Sequence, residues 1–226
     1  MCEKKILSVL NKESVKTPPV WLMRQAGRYL DEYREVRKKA GGFLDLCYNP
    51  LLAKEVTLQP IKRFGFDAAI LFADILLLPQ ALGRKLWFES GEGPRLEPIK
   101  DLNDIEDLND IDNMHKGLEN VYETVRLVRA ELSRDKALIG FAGAPWTVLT
   151  YMIAGRGGDE QKAAKIFMTR EKKSFDLLMD KVTRATVEYL SEQIRSGADV
   201  IKLFDSWAGS LGGTYFIEYV IKPLEV

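Results

Sequence analysis

Four arginines lie within fourteen residues near the start of the chain, directly after an apolar run at residues 20–23. A guanidinium group is always charged and binds a carboxylate through two parallel hydrogen bonds. The first two arginines are four residues apart, and Gly27 between them allows close approach of the backbone, so both could reach one ligand. The cluster therefore predicts a site for a polyanion. Its members are Arg24, Arg28, Arg34 and Arg37.

The same residue types also suit a solvated, salt-bridged helix start, because Asp31 and Glu35 lie within one helical turn of Arg34. For Arg34 the salt-bridged helix is the better interpretation. Arg24 and Arg28 come before the acidic residues begin. The local sequence leaves the ligand-binding and the structural interpretation equally open for both.

A carboxylate stands between two apolar runs at Asp74, which follows residues 68–73 and precedes residues 75–78. Aspartate is rarely buried unless it is paired. It could be a structural acid that pairs with a lysine or caps a helix. It could also be a desolvated acceptor for N–H groups or for developing positive charge. The residues alone leave both interpretations open.

Other polar residues follow later apolar segments. Tyr151 could offer a phenol to an anionic group, although a core tyrosine with one hydrogen bond is the ordinary case. Ser206 follows Asp205, but the only histidine, His115, is predicted on the surface, so serine-dependent acyl transfer is not expected. Asp205 receives no role. The glycine-rich residues 155–158 lack the Lys-Ser/Thr ending of a phosphate loop and are predicted to form a mobile linker.

Composition narrows the class of protein. The 226 residues include 33 basic and 33 acidic side chains, whereas a nucleic-acid-binding domain usually has a basic excess. Cys2 and Cys47 are too few for a disulfide framework and, with one histidine, do not make a zinc site. No apolar run approaches a membrane span, and the first residues have no signal core. We expect a cytoplasmic protein with no metal and no nucleic-acid or membrane partner.

Short apolar runs alternate with amphipathic segments along the chain. Such runs are typical of parallel strands buried on both faces, and residues 118–132 and 175–189 each place apolar side chains on one helical face. The alternation predicts an α/β fold with a parallel sheet in one domain spanning residues 1–226. The predicted strands are residues 20–23, 68–73, 137–142 and 200–204.

Residues 86–98 interrupt the alternation and predict an inserted β-hairpin. Asn49 and Pro50 predict a capped helix start, and Pro60 predicts a kink or an end of that helix. The pattern does not distinguish an open doubly wound sheet from a closed barrel. The absence of a glycine-rich nucleotide loop after any run weakens the dinucleotide-binding version.

Several segments resemble the uroporphyrinogen decarboxylase family. They occur in the order in which the family has them, and the resemblance extends from about residue 18 onward. The segments are residues 19–29 (PVWLMRQAGRY), 72–75 (FADI) with 79–83 (PQALG), 140–147 (GFAGAPWT) and 204–206 (FDS).

The resemblance implies a (β/α)₈ TIM barrel, an architecture that typically needs roughly 250 residues. Only about four strand–helix units fit into this chain. We therefore expect an incomplete barrel with an inserted hairpin, truncated on the C-terminal side. A histidine that the family contributes late in its sequence has no counterpart here.

The resemblance also implies a carboxy-lyase that converts uroporphyrinogen III to coproporphyrinogen III in haem biosynthesis. It would remove the four acetate carboxyl groups without a cofactor, as a homodimer. By the same resemblance, Asp74, Arg37 and Arg28 are catalytic, with Asp74 beneath the tetrapyrrole as an acceptor for pyrrole N–H groups. The implied substrate-binding residues are Arg24, Gln25, Arg28, Asp74, Tyr151 and Ser206.

Two alternatives remain open at this stage. One is a truncated, non-catalytic fragment that only binds anionic tetrapyrroles, and whose open sheet edges would favour association. The other is a related barrel methyltransferase. That class needs a zinc site, which two cysteines and one remote histidine do not supply.

Overall fold

The computed structural model describes residues 4–23, 25–89 and 93–226, apart from the side chain of Asp159. The chain divides into two compact units. The first unit comprises residues 1–74, 119–141 and 190–202, and the second comprises residues 75–118, 142–189 and 203–226.

The described residues form five strands in two sheets. A three-stranded sheet has the order β1-β4-β5, and β1 pairs with β4 in parallel, with Ala68 opposite Ala137. The second sheet is an antiparallel hairpin of β2 and β3, as the sequence predicts. The strands are β1 (Ala68–Ile70), β2 (Leu86–Glu89), β3 (Gly93–Leu96), β4 (Ala137–Gly143) and β5 (Val200–Phe204).

Eleven α-helices lie between and around these strands in the described residues, with short 3₁₀ or π turns at residues 159–161, 208–210 and 217–224. The helices are α1 (Lys5–Leu10), α2 (Asp31–Ala40), α3 (Phe43–Cys47), α4 (Pro50–Phe64), α5 (Leu77–Ala81), α6 (Leu102–Glu106), α7 (Ile111–Glu131), α8 (Pro145–Ala154), α9 (Lys162–Arg170), α10 (Lys172–Arg195) and α11 (Gly213–Phe216).

The two long amphipathic helices form as predicted. Every apolar position used for the prediction in residues 118–132 and 175–189 is buried, and all lie in α7 or α10 except Leu132, which directly follows α7. Asn49 caps α4, because its side chain accepts a hydrogen bond from the Leu52 N–H at 3.1 Å. Of the kink or helix end predicted at Pro60, the helix end is wrong. The helix continues to Phe64, and Gly65 then takes the left-handed conformation that ends it.

The strand predicted at residues 20–23 does not form among the described residues. This segment is joined to the residue before β1, where the Asp67 N–H donates to the Val20 carbonyl at 2.9 Å and the Val20 N–H donates to the Asp67 carboxylate at 2.8 Å. Pro18 and Pro19 immediately before it have no N–H to donate. These two hydrogen bonds position the segment, but they do not make it a further strand of the sheet.

Strand β4 is buried at all seven positions. Gln193, which is fully buried, carries the hydrogen bonds of Phe141 in this strand. Its side-chain oxygen accepts from the Phe141 N–H at 2.8 Å, and its amide nitrogen donates to the Phe141 carbonyl at 2.9 Å. Gly140 is required beside it, since a Cβ there would lie 2.5 Å from the same glutamine oxygen.

The hairpin of β2 and β3 is joined to the end of α8 through the backbone. The Leu96 N–H donates to the Gly155 carbonyl at 2.8 Å, and Arg95 forms an antiparallel bridge with Arg156. Gly155 has φ of +71°, and a Cβ there would lie 2.8 Å from the Leu96 carbonyl oxygen. The prediction of a mobile linker is therefore wrong for its first two residues, which are a helix cap and a bridge.

A search of the described residues finds no helix with both the length and the apolar character needed to cross a membrane.

Gln193→Leu should lower the free energy of unfolding by roughly 2–4 kcal/mol, because it removes the side-chain hydrogen bonds to both the N–H and the carbonyl of the buried Phe141. Urea denaturation followed by circular dichroism measures this change. Ile194→Leu, at the exposed neighbouring position, is the control and should change the midpoint little. An equal effect of the two substitutions would contradict the role assigned to Gln193.

Candidate functional site

Helix α2 places one of the predicted arginines next to the core of the first unit. Tyr33 and Val36 are buried on its inner face, and Arg37, one turn after Tyr33, is half-buried. The Arg37 guanidinium donates to the Gly41 carbonyl at 3.2 Å and lies 5.9 Å from the centre of the Phe43 ring. These contacts hold the charge against an aromatic surface.

The charges of Arg28 and Arg37 both affect the pKa of the Tyr33 phenol. Burial raises the pKa of Tyr33, while the positive charges of Arg37 and Arg28 oppose that rise. Both guanidinium groups therefore lie close enough to the Tyr33 hydroxyl to interact with it electrostatically. Arg28 itself is exposed, so its charge is available to a ligand.

Asp74 lies near the Cys47 thiol and the Tyr48 phenol. Burial is the main cause that raises the pKa of Cys47 well above its usual value, the Asp74 charge raises it further, and the Arg37 charge opposes the rise. Burial likewise raises the pKa of Tyr48, with contributions from Cys47 and Asp74. A carboxylate and a guanidinium are thus both within electrostatic range of one buried thiol.

The Gln25 side chain connects the arginine segment to β1. Its oxygen accepts from the Leu22 N–H at 3.0 Å, and its nitrogen donates to the Ala68 carbonyl at 3.0 Å. The residue is buried, and the Tyr29 hydroxyl donates to its carbonyl oxygen. The substrate-binding role predicted for Gln25 stays a prediction, whereas its contacts give it a positioning role in this loop.

Arg24 lies outside the described residues, so its predicted role stays a prediction. Arg34 forms an ion pair with Asp31 on the exposed face of α2 and donates to the Arg28 carbonyl at 3.2 Å. The salt-bridged interpretation of Arg34 is confirmed.

In the second unit, Asp205 and Thr147 organise the loop that follows β5. The Thr147 hydroxyl donates to the Asp205 carboxylate at 2.5 Å and accepts from the Trp207 N–H at 3.1 Å. Burial raises the pKa of Asp205, and the hydrogen bonds from Thr147 and from the Trp207 and Ala208 N–H groups oppose that rise. The second carboxylate oxygen, Oδ2, is buried without a partner in the described part of the chain.

This loop carries Ser206 and Trp207. Ser206 is exposed, and the Trp207 carbonyl accepts from the Trp146 indole N–H at 3.0 Å. The Tyr151 and Trp207 rings are 6.4 Å apart, so the loop also contacts the predicted substrate-binding tyrosine. A Cβ at Gly157 would lie 2.8 Å from the Tyr151 hydroxyl oxygen, so only glycine leaves that phenol in place.

Sequence reasoning missed several residues around these groups. The missed residues lie beside the predicted arginines and Asp74; they are Tyr33, Cys47 and Tyr48. Of the three, only Tyr33 had a usable indication in the sequence, its helical spacing from Val36. Asp205 was given no role, although it holds the loop on which Ser206 lies. Among the residues that the structure describes, no three or more His, Cys, Asp or Glu side chains form a group that could hold a metal.

The architecture defines the class of protein. A solved methyltransferase from Methanosarcina mazei is similar to this chain with a TM-score of 0.79 over 100% of the chain and 66% of its own, at 21% sequence identity. The fold is thus of the α/β TIM-barrel class, present here as an incomplete barrel, as the sequence predicts.

The family follows from sequence similarity. The profile of the family described as "Uroporphyrinogen decarboxylase (URO-D)" matches residues 1–226, and this chain belongs to that family. Curated relatives named uroporphyrinogen decarboxylase include one from Cereibacter sphaeroides, 59% identical over 220 residues, and one from Ruegeria pomeroyi, 60% identical over 220 residues. In both cases the similarity covers 97% of this chain but only 64% of the relative.

Cys47 offers a test of the site geometry that does not depend on catalysis. In a Cys2→Ser background, alkylation of folded Cys47 by iodoacetamide at pH 8 should be slow, because burial keeps the pKa of the thiol high. Asp74→Asn removes the charge that adds to the effect of burial on this pKa, and it should speed alkylation because a lower pKa raises the thiolate fraction. Arg37→Gln should slow it.

Arg34→Gln, which changes a guanidinium paired on the exposed face of α2, is the control and should leave the alkylation rate unchanged. Slower alkylation in Asp74→Asn would show that Asp74 is not near this thiol.

Proposed function

We propose that this chain is the portion of a uroporphyrinogen decarboxylase that binds the carboxylate arms and stabilises the reacting pyrrole. The enzyme is a carboxy-lyase that converts uroporphyrinogen III to coproporphyrinogen III in haem biosynthesis. The proposal is supported by the family to which the chain belongs and by the identity to curated relatives.

One structural observation carries the proposal. Arg37 and Asp74 lie close enough to the Cys47 thiol to shift its pKa in opposite directions, and Arg28 and Arg37 share the Tyr33 phenol. The first unit therefore presents two cations and an anion in one region. A tetrapyrrole that carries carboxylate arms and ring N–H groups needs both signs of charge from its binding site.

The chemistry requires a place for the electron pair that is released as carbon dioxide leaves. When the pyrrole is protonated at the ring carbon next to the one that bears the acetate arm, the ring becomes cationic. The pair from the broken C–C bond then forms a double bond between the arm carbon and the ring carbon that bears it, and this neutralises the ring. Protonation of the arm carbon and loss of the ring proton give the methyl product. The substrate itself thus serves as the electron sink, and no cofactor is required by this sequence.

Each predicted residue has a role in this scheme. Asp74 accepts pyrrole N–H groups and stabilises the cationic ring more strongly than the neutral one, which lowers the barrier. Arg28 and Arg37 bind carboxylates and orient the reacting arm. Arg24 and Gln25 complete this region, Gln25 by fixing the loop through its two backbone hydrogen bonds.

Tyr151 and Ser206 are proposed to position other arms of the substrate. The support for Ser206 is its position two residues after β5, since side chains that follow barrel strands meet the substrate. Tyr151 lies in α8, the helix after β4, and its ring is 6.4 Å from that of Trp207 in the loop that carries Ser206. The Thr147–Asp205 hydrogen bond sets the backbone on which Ser206 lies. We further propose that the two units belong to one barrel domain and that the intact enzyme is a cytoplasmic homodimer.

Two other functions are less well supported. A fragment that only binds anionic tetrapyrroles would keep the arginine region but show no turnover. A methyltransferase of related fold would require a metal site, and stoichiometric zinc in the purified protein would favour that function.

Anaerobic incubation of protein containing this chain with uroporphyrinogen tests the proposal directly. Products are separated by the number of carboxylates. Species with seven to four carboxylates are the expected result. Retention of the substrate through binding without any product would favour the non-catalytic alternative.

Asp74→Asn should lower kcat by about 10²–10³-fold in an active protein that contains this chain, since it removes the negative charge opposite the cationic ring. Steady-state kinetics measures the loss, and circular dichroism checks that the variant is folded. Asp31→Asn, at an exposed position of α2, serves as the control. Near-normal kcat in Asp74→Asn would remove the role assigned to this residue.

Arg28→Lys and Arg37→Lys should each weaken binding of uroporphyrinogen by roughly ten-fold, because lysine cannot reproduce the bidentate contact with a carboxylate. The KM measures this effect. Arg34→Lys is the control, because it makes the same chemical change at a guanidinium that pairs with Asp31. It should leave KM unchanged. An equal effect at all three positions would contradict a specific bidentate contact at Arg28 and Arg37.

A further inference from the structure

A cleft lies in the second unit, where the segment between α8 and α10 meets the loop after β5. Its volume is about 500 Å³. None of the residues predicted to bind substrate is among those that line it. The lining residues are Gly158, Glu160, Gln161, Lys165, Trp207 and Ser210.

Gln161 is the unusual member of this cleft. The residue is only 6% exposed, yet within the described part of the chain its side-chain amide forms no hydrogen bond, including none to the helix that it precedes. The amide atoms themselves are not fully buried, and the residue lines the cleft. Their donor and acceptor capacity is therefore open to a ligand in the cleft.

The backbone is strained at the same place. Glu160 has φ of +45° and Gln161 has φ of +57°, and neither is glycine. Left-handed backbone in two successive non-glycine residues is costly, and such strain concentrates at functional sites. In this conformation Gln161 becomes the N-cap residue of α9.

The electrostatics of the cleft favour an anion. Helix α9 has nine residues, and its first N–H groups receive no side-chain cap from Gln161. A helix N-terminus with free N–H groups attracts negative charge. Lys165, on the first turn of α9, is half-buried and lines the cleft, and its ammonium group donates to the Glu160 carbonyl at 2.9 Å. Two of its three N–H donors remain for a ligand.

The rest of the lining limits the kind of anion. The Glu160 side chain contributes one negative charge to the rim, which disfavours a doubly charged group such as phosphate. The Trp207 indole supplies a flat apolar wall and also contacts Tyr151. A single carboxylate attached to a small apolar or ring-bearing group matches this surface.

We propose that this cleft is a carboxylate-binding subsite, in which Gln161, Lys165 and the N-terminus of α9 bind the carboxylate and Trp207 packs against the group that carries it. Two sources share this chemistry. One is an acid arm of the tetrapyrrole, which would rest on the proposed function, and the other is a free small carboxylic acid.

Chemical-shift titration of the ¹⁵N-labelled chain with phenylacetate tests the subsite, with the neutral phenylacetamide as the matched ligand. Saturable shifts at Gln161 and Lys165 with phenylacetate, and much weaker ones with phenylacetamide, are expected. Gln161→Glu and Lys165→Met should each raise the Kd at least about ten-fold, as expected for loss of a hydrogen bond to a charged group. Lys162→Met removes the same charge from an exposed position of α9 that does not line the cleft, and it should change the Kd by less than about two-fold.

The two sources are separated by competition with uroporphyrin, a carboxylate-rich tetrapyrrole that does not react. Displacement of phenylacetate by uroporphyrin identifies an arm of the tetrapyrrole, and no displacement identifies a free small acid. Equal binding of phenylacetate and phenylacetamide, equal effects of Lys165→Met and Lys162→Met, or no saturable binding would overturn the proposal. None of these results depends on decarboxylation, so a failed subsite remains distinguishable from a failed enzyme assignment.

Discussion

The complete burial of β4 is the constraint on which the central sheet depends. A strand buried at every position cannot pair its backbone groups with water, so each N–H and carbonyl needs a partner inside the protein. Strand β1 supplies some of these partners, and two side chains supply others. Asp199 accepts from the Leu138 N–H at 2.8 Å, and Gln193 serves both backbone groups of Phe141.

Gln193 lies in the last turn of α10, and Asp199 lies directly before β5. Asp199 also binds Lys4 and Arg129, so a single carboxylate joins the residue before α1, the helix α7 and the sheet. Gly197, at φ of +119°, makes the turn between the two side chains, and a Cβ there would lie 2.9 Å from the Arg129 Cγ atom. Asp199, in the turn that follows α10, thus also provides a hydrogen-bond acceptor for the buried strand β4.

The sequence predicted those parts of the fold that are governed by local periodicity. The apolar faces of α7 and α10, the strand at residues 200–204 and the inserted hairpin follow from spacing alone. The run at residues 20–23 has the same composition as a buried strand, but its backbone bonds to Asp67 and to the Gln25 side chain instead of to a strand, and composition does not reveal which partners a segment finds. The helix end predicted at Pro60 fails for a related reason, because tertiary packing of α4 outweighs the local cost of a proline.

The sequence identified the charged residues of the candidate site but not the side chains that lie next to them. Arginine and aspartate types and the family resemblance located Arg28, Arg37 and Asp74. The phenol and thiol that these charges face, Tyr33 and Cys47, come from helices whose packing the sequence does not specify. The sequence also does not single out Gln161, because neither its burial nor the lack of a side-chain hydrogen bond within the described residues can be read from residue types.

The attachment of the hairpin to α8 runs through main-chain atoms, from the Leu96 N–H to the Gly155 carbonyl and across the Arg95–Arg156 bridge. Such an attachment makes few demands on side chains, apart from the need for glycine at position 155. Trp87 and Phe88 on the hairpin are each 37% exposed. Among homologous chains, the hairpin should therefore diverge quickly in sequence and in length while its anchoring glycine changes slowly.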